Sequence, residues 1–112
     1  MAMSKYRWIY TTWPDAGLAG AAGRTLVQEG LCACVNILPG MTSVYRWQGA
    51  VETANEAVMI LKTSSEKAPA VIDRLVALHP YDEPCAVGLD IDAAASAPGF
   101  LTWMGAALSA GA

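Results

Sequence analysis

The sequence predicts an α+β fold with four strands in one antiparallel sheet and two helices crossing one of its faces. Three observations predict it. Aromatic or β-branched runs that read as strands occur at four places. Helical apolar stripes separate the first run from the second and the third from the fourth. The second and third runs are joined by the dipeptide Gln48-Gly49, the mark of a tight hairpin. The order is therefore β-α-β-β-α-β-α, the last helix being short.

Tyr6 to Thr12 is aromatic and β-branched and is bounded by Trp13-Pro14, which makes it the first strand. Asp15 stands where a helix N-cap belongs. Leu18, Ala22 and Leu26 recur at i, i+4 and i+8, one apolar stripe that runs to about Glu29, and Gly30 fits the C-cap. Gly17, Gly20 and Gly23 each cost such a helix roughly 1 kcal/mol relative to alanine, so close packing of the helix is expected. Cys32 to Leu38 forms the second strand. Pro39-Gly40 interrupts it as a bulge or an end, and pairing resumes from Met41 to Trp47.

Val51 to Thr63 returns as a long third strand. Glu52, Glu56 and Lys62 share parity with Val58 and Ile60, while Met59 and Leu61 take the other parity. Ala57 to Leu61 is thus apolar on both faces, whereas a hairpin usually keeps one face wet. A partner subunit is the expected cover. Ser64-Ser65 opens the second helix, with Pro69 in its first turn and the cap near Ser65 or Glu66. Val71, Ile72, Leu75 and Leu78 form its buried stripe, and Pro80 ends it by forcing His79 out of helical geometry. Cys85, Val87, Leu89 and Ile91 share one face of the fourth strand, which predicts a core-facing Cys85 thiol. Phe100, Leu101, Met104 and Leu108 outline the last helix. Two crossovers flanking a long hairpin define the ferredoxin-like split β-α-β arrangement.

Composition narrows the function. The 112 residues make one domain, residues 1–112. Apolar residues reach 54% and charged residues only 15%, against about 25% charged in ordinary soluble domains. More apolar surface than one small domain can hide points to a subunit interface. The net charge of −3 and the scattered basic residues argue against nucleic acid. No apolar window is long enough for a membrane span. Met1 to Tyr10 has no apolar h-region, so no signal peptide is expected. Three cysteines without one suggest free thiols in a reducing compartment, the cytoplasm.

The stretch His79-Pro80-Tyr81-Asp82-Glu83-Pro84-Cys85 gathers the only histidine, two carboxylates and a thiol, donor types that bind divalent metals. Taken with Cys34-Val35-Asn36-Ile37, Pro39, Ser43-Val44-Tyr45-Arg46-Trp47-Gln48-Gly49, Glu52, Glu56, Lys62-Thr63 and Leu101-Thr102-Trp103, the chain resembles the CutA (CutA1) divalent-cation tolerance family from about Tyr6 to Leu108. The resemblance implies a tight homotrimer with hairpins reaching across to neighbours, a link to copper and other divalent cations, and no enzymatic reaction. One departure is Asp82-Glu83-Pro84-Cys85, where many relatives carry other residues after the His-Pro-Tyr motif.

On that footing the expected metal ligands are His79, Cys34, Glu83 and Cys85, holding copper or another divalent cation. A lone histidine makes no tight site in one protomer, whereas copies from several subunits do. Against this, His79 can serve as a helix C-terminal residue, and Cys32 is best read as a small buried apolar residue. Glu56, if buried, needs a cation, with Lys62 and Arg46 nearest by pattern. Tyr45, Trp47, Tyr81 and Trp103 suit either a trimer interface or a pocket. The alternative function is a small-molecule regulator like the trimeric PII signalling proteins, taking an anionic ligand between subunits at Lys62, Arg46 and backbone N–H groups. A cysteine-dependent enzyme lacks any catalytic motif beyond a possible pairing with His79. Gly17-x-x-Gly20-x-x-Gly23 lacks the tight start of a dinucleotide turn.

Overall fold

In a computed structural model, which describes residues 4–110, the strands are β1 (Tyr6–Trp13), β2 (Cys34–Trp47), β3 (Ala50–Ser64) and β4 (Ala86–Asp90). The helices are α1 (Ala16–Gln28), α2 (Ala68–Leu78) and α3 (Pro98–Ala110), with a 3-10 turn at Ala93–Ala95. The sheet order is β2-β3-β1-β4, every pair antiparallel, as the split β-α-β pattern requires. Among the described residues no helix is long and apolar enough to cross a membrane.

Strand alternation separates the two faces of the sheet. Ile9, Thr11 and Trp13 of β1 stand opposite Leu61, Met59 and Ala57 of β3, and all six are buried. They meet Ala19, Ala22 and Leu26 of α1 and Val71 and Leu75 of α2 in the main core. A fully buried Ile, Leu or Met contributes about 2 kcal/mol of transfer free energy. A second cluster forms where α3 lays Leu101, Met104 and Leu108 against Ala33, Tyr6 and Ile91. Trp8, Tyr10 and Thr12 of β1, and Val58, Ile60 and Lys62 of β3, point to the other face.

Local signals act as their chemistry requires. The Asp15 carboxylate caps α1 by accepting from Leu18 N–H at 2.8 Å. Pro39-Gly40 is a bulge, with the register shifting between Leu38 and Met41 while β2 continues through it. Gln48 and Gly49 both take positive φ, the two-residue turn that matches strand twist.

Four expectations are corrected. Leu18 is 45% exposed, and the buried stripe of α1 is Ala19, Ala22, Gly23 and Leu26. Small residues face the sheet because a Cβ at Gly23 would lie 2.8 Å from both Met59 Sδ and Val35 Cγ2. The cap of α2 falls at Lys67, whose N–H bonds Ser64 Oγ. Cys85 lies outside β4 and is exposed rather than core-facing. Val87 and Leu89 share its exposure because they pair with Tyr10 and Trp8 on the face away from α1 and α2.

The glycines of α1 therefore differ in kind. Gly23→Ala is expected to lower stability by about 1–3 kcal/mol through overpacking. Gly20→Ala, whose nearest neighbour Ile37 Cδ1 is 3.7 Å away, is expected to be neutral or to add up to about 1 kcal/mol. Urea unfolding of the two variants checks the contrast.

Candidate functional site

The His79-Pro80-Tyr81 segment is built by the end of α2. Pro80 excludes helical geometry from His79, which adopts ψ 139 and swings its ring back over β1. The imidazole lies 4.0 Å from the Trp13 ring, tilted by 30°. Tyr81 N–H donates to His79 Nδ1 at 3.1 Å, so the proton of the neutral ring sits on Nε2. That Nε2–H donates to the Thr12 carbonyl at 2.8 Å. Both ring nitrogens are thus engaged within the protomer, and the residue is 8% exposed.

Tyr81 extends the clamp to β3, its hydroxyl donating to Glu56 Oε2 at 3.0 Å. Burial, the hydrogen bond to Glu56 and the charges of Glu56 and Tyr45 push the phenol up to about 12. Glu56 accordingly meets a phenol where the sequence suggested Lys62 or Arg46. Lys62 instead lies over the rings of Trp8 and Phe100, at 5.2 and 5.1 Å from their centroids.

The other expected ligands do not join His79. Cys34 is half-buried on β2 opposite Lys62, whereas Cys85 sits beside β4, its carbonyl accepting from Thr12 N–H at 3.4 Å. These positions are four residues apart along the strands and three strands apart across the sheet, about 20 Å in all. Glu83 and Asp82 are exposed in the loop that leads to Cys85. Among the described residues no group of three or more His, Cys, Asp or Glu is placed to hold a metal ion. Cys32 is buried in the main core, and burial, reinforced by Cys34, pushes its thiol up to about 12, so it stays protonated.

Sequence reasoning did not single out Thr12, Trp13, Trp8 or Phe100. A carbonyl partner such as that of Thr12 carries no side-chain signal. Trp13 sits at a strand end before Pro14, where its burial follows from parity with Ile9 alone.

His79→Ala is expected to destabilise the protein by about 2–3 kcal/mol, by loss of two hydrogen bonds and a ring contact. His79→Gln, which restores an N–H toward Thr12, is expected to lose less. Urea unfolding in the presence of a chelator shows the loss as structural. For Tyr81, the raised folded value means that its contribution to stability is complete below the ordinary phenol value of about 10 and is lost as pH rises through about 12. Ultraviolet titration should show Tyr81 ionising at lower pH in Glu56→Gln than in the native protein.

Comparison with known proteins bears on this architecture as a whole. The family model described as CutA1 divalent ion tolerance protein matches residues 7–107. A divalent-cation tolerance protein CutA from Thermus thermophilus is 43% identical over 83 residues, covering 74% of this chain and 81% of that protein. The crystal structure of CutA from Xylella fastidiosa superposes with a TM-score of 0.88 at 42% identity, covering 94% of this chain and 99% of the other. A CutA structure from Archaeoglobus fulgidus, described as periplasmic, gives 0.86 at 36% identity over 92% and 98% of the two chains. Animal and plant relatives are longer, and the chain spans 46% to 62% of their length. With the family's model matched from β1 into α3 and the fold shared throughout, the chain belongs to the CutA1 divalent ion tolerance family.

Proposed function

We propose that the protein is a non-enzymatic homotrimer that confers tolerance to divalent cations, copper among them, and binds the ion through donors from more than one subunit. One observation carries this reading. The hairpin and β4 expose an apolar surface that includes Leu38, Val44, Trp47, Val51, Val87 and Leu89, each between 49% and 67% accessible. Surface of that kind is characteristic of subunit interfaces. Within one protomer the thiols of Cys34 and Cys85 stand at opposite edges of the sheet, so a complete ligand set calls for a neighbouring copy.

Cys34, Glu83 and Cys85 supply the donors, soft thiolates for copper and a carboxylate for charge. His79 would enter the coordination sphere only by giving up its bond to Thr12 or to Tyr81, and we assign it to holding the Glu83–Cys85 loop in place. The three free cysteines favour a reducing compartment, the cytoplasm.

Native mass spectrometry of the reduced protein with and without stoichiometric copper is the test. A trimer that takes up copper is expected, with affinity falling in Cys34→Ser and Cys85→Ser. Loss of an outer hydrogen-bond partner alone costs a metal site roughly tenfold, so loss of a ligand is expected to cost at least that. A trimer that ignores copper and other divalent ions would remove the binding role and leave the fold intact, and a monomer would remove the shared site.

A further inference from the structure

The clamp at the end of α2 fits one protonation state of His79. The neutral ring accepts Tyr81 N–H at Nδ1, 3.1 Å away, and donates from Nε2 to the Thr12 carbonyl, 2.8 Å away. A further proton goes to Nδ1, the nitrogen that still has a lone pair, and turns it into a donor. Two N–H groups then face each other across 3.1 Å, and no hydrogen bond joins them. The other contacts of the ring survive. Nε2 still donates to Thr12, now with the help of charge. The Trp13 indole, its centroid 4.0 Å from that of the imidazole, attracts a cationic ring.

The charged groups around the ring favour this proton. β1 faces it with Thr12 and Trp13, which carry no charge, and Asp15 beyond them is engaged in capping α1. α2 presents the carbonyl end of a helix, which favours a positive ring. The loop contributes the exposed Asp82, Glu83 and Cys85, together with Tyr81, whose phenol is pushed up to about 12 and stays neutral. β3 contributes Glu56, behind the Tyr81 hydroxyl. Opposing the proton are burial and the Tyr81 N–H, and movement of the loop relieves both at once by admitting water to Nδ1.

The loop is lightly held elsewhere. Its other ties are the Tyr81 hydroxyl on Glu56 at 3.0 Å and the Cys85 carbonyl, which accepts from Thr12 N–H at a long 3.4 Å. Pro80 and Pro84 stiffen the segment between them, so that it moves as one piece.

We propose that His79 is a proton-operated latch. Neutral, it holds Tyr81 and the 80–85 loop against β1. Protonated, it stays on Trp13 and Thr12 and lets the loop go. The latch rests on the two hydrogen bonds of the ring and not on the metal reading above. It is tested with no metal present, so that either can fail alone.

The test is heteronuclear NMR of the full reduced chain, with a chelator, between about pH 8 and about pH 5, where imidazoles ordinarily take up a proton. Ring-nitrogen shifts follow His79, and amide hydrogen exchange, corrected for its intrinsic pH dependence, follows the backbone. The Nε2–H tautomer is expected at high pH. On acidification, opening at the Tyr81 amide should rise at least about tenfold in step with the ring, while Met59 and Leu61 keep their protection. His79→Gln, whose amide can accept from Tyr81 and donate to Thr12 without titrating, should keep Tyr81 protected throughout. Should that variant fold poorly, Glu56→Gln decides, because it removes the other titratable tie and should leave the acid release in place. An Nδ1–H tautomer at high pH, ring protonation without opening at Tyr81, the same opening in His79→Gln, its disappearance in Glu56→Gln, or a parallel loss of protection at Met59 and Leu61 would each overturn the latch.

Discussion

The register between β1 and β3 is the constraint on which the rest of the structure depends. It places Ile9, Thr11 and Trp13 directly opposite Leu61, Met59 and Ala57, so that both central strands bury the same face. A slip of one residue would put the three side chains of one strand on the face opposite those of the other. Two polar groups are locked into this register. Thr11 donates its hydroxyl to the Met59 carbonyl at 2.9 Å and accepts from Trp13 Nε1–H at 2.7 Å. A buried hydroxyl left without partners costs about 1–3 kcal/mol, so these bonds discriminate against other registers. The indole held by Thr11 is also the surface on which the His79 ring rests, which makes the placing of the His-Pro-Tyr segment a consequence of strand pairing.

The same alternation decides what is left outside. Once odd-numbered residues of β1 face α1 and α2, Trp8 and Tyr10 must face the other way, and their partners Leu89, Val87, Lys62 and Ile60 follow them. Among the described residues only one end of that face is covered within the protomer, where α3 packs on Tyr6 and Ile91. Lys67 ties this end down by donating from Nζ to the carbonyls of Gly30 and Leu108, linking the end of α1 to α3. The remaining apolar face and the protruding hairpin are therefore determined by the register and not by any local preference for exposure.

Much of the fold was legible because strand, hairpin and cap signals are local. Asp15, Pro39-Gly40, Gln48-Gly49 and Pro80 act within a few residues of themselves. The errors came from choices that depend on a second element. Periodicity alone could not tell whether Leu18 or Ala19 leads the buried stripe of α1, since the close approach at Gly23 to Met59 and Val35 decides it. Parity grouped Val87 with Leu89 but could not say which face the pair takes, because the pairing of β4 with β1 sets it, and Cys85 falls outside the strand. The candidate site is legible in the same partial way. His79 stands out by its residue type, while its partners, a backbone carbonyl and a backbone N–H, leave no trace in sequence.

The three thiols show how far residue type is from chemistry. Cys32 and Cys34 are two positions apart, yet one is sealed in the main core with its proton held and the other is half-buried opposite Lys62. Cys85 is exposed, beyond the end of a short edge strand. A thiolate is the form that binds copper, so accessibility and charge surroundings separate these residues before any geometry is considered. Because the two accessible thiols lie about 20 Å apart across the sheet, they cannot serve one ion within a protomer. On the proposed reading, a site that used both thiols would draw on two copies of the chain, so metal binding and oligomerisation would form one equilibrium: dilution that dissociates the subunits should also release the ion.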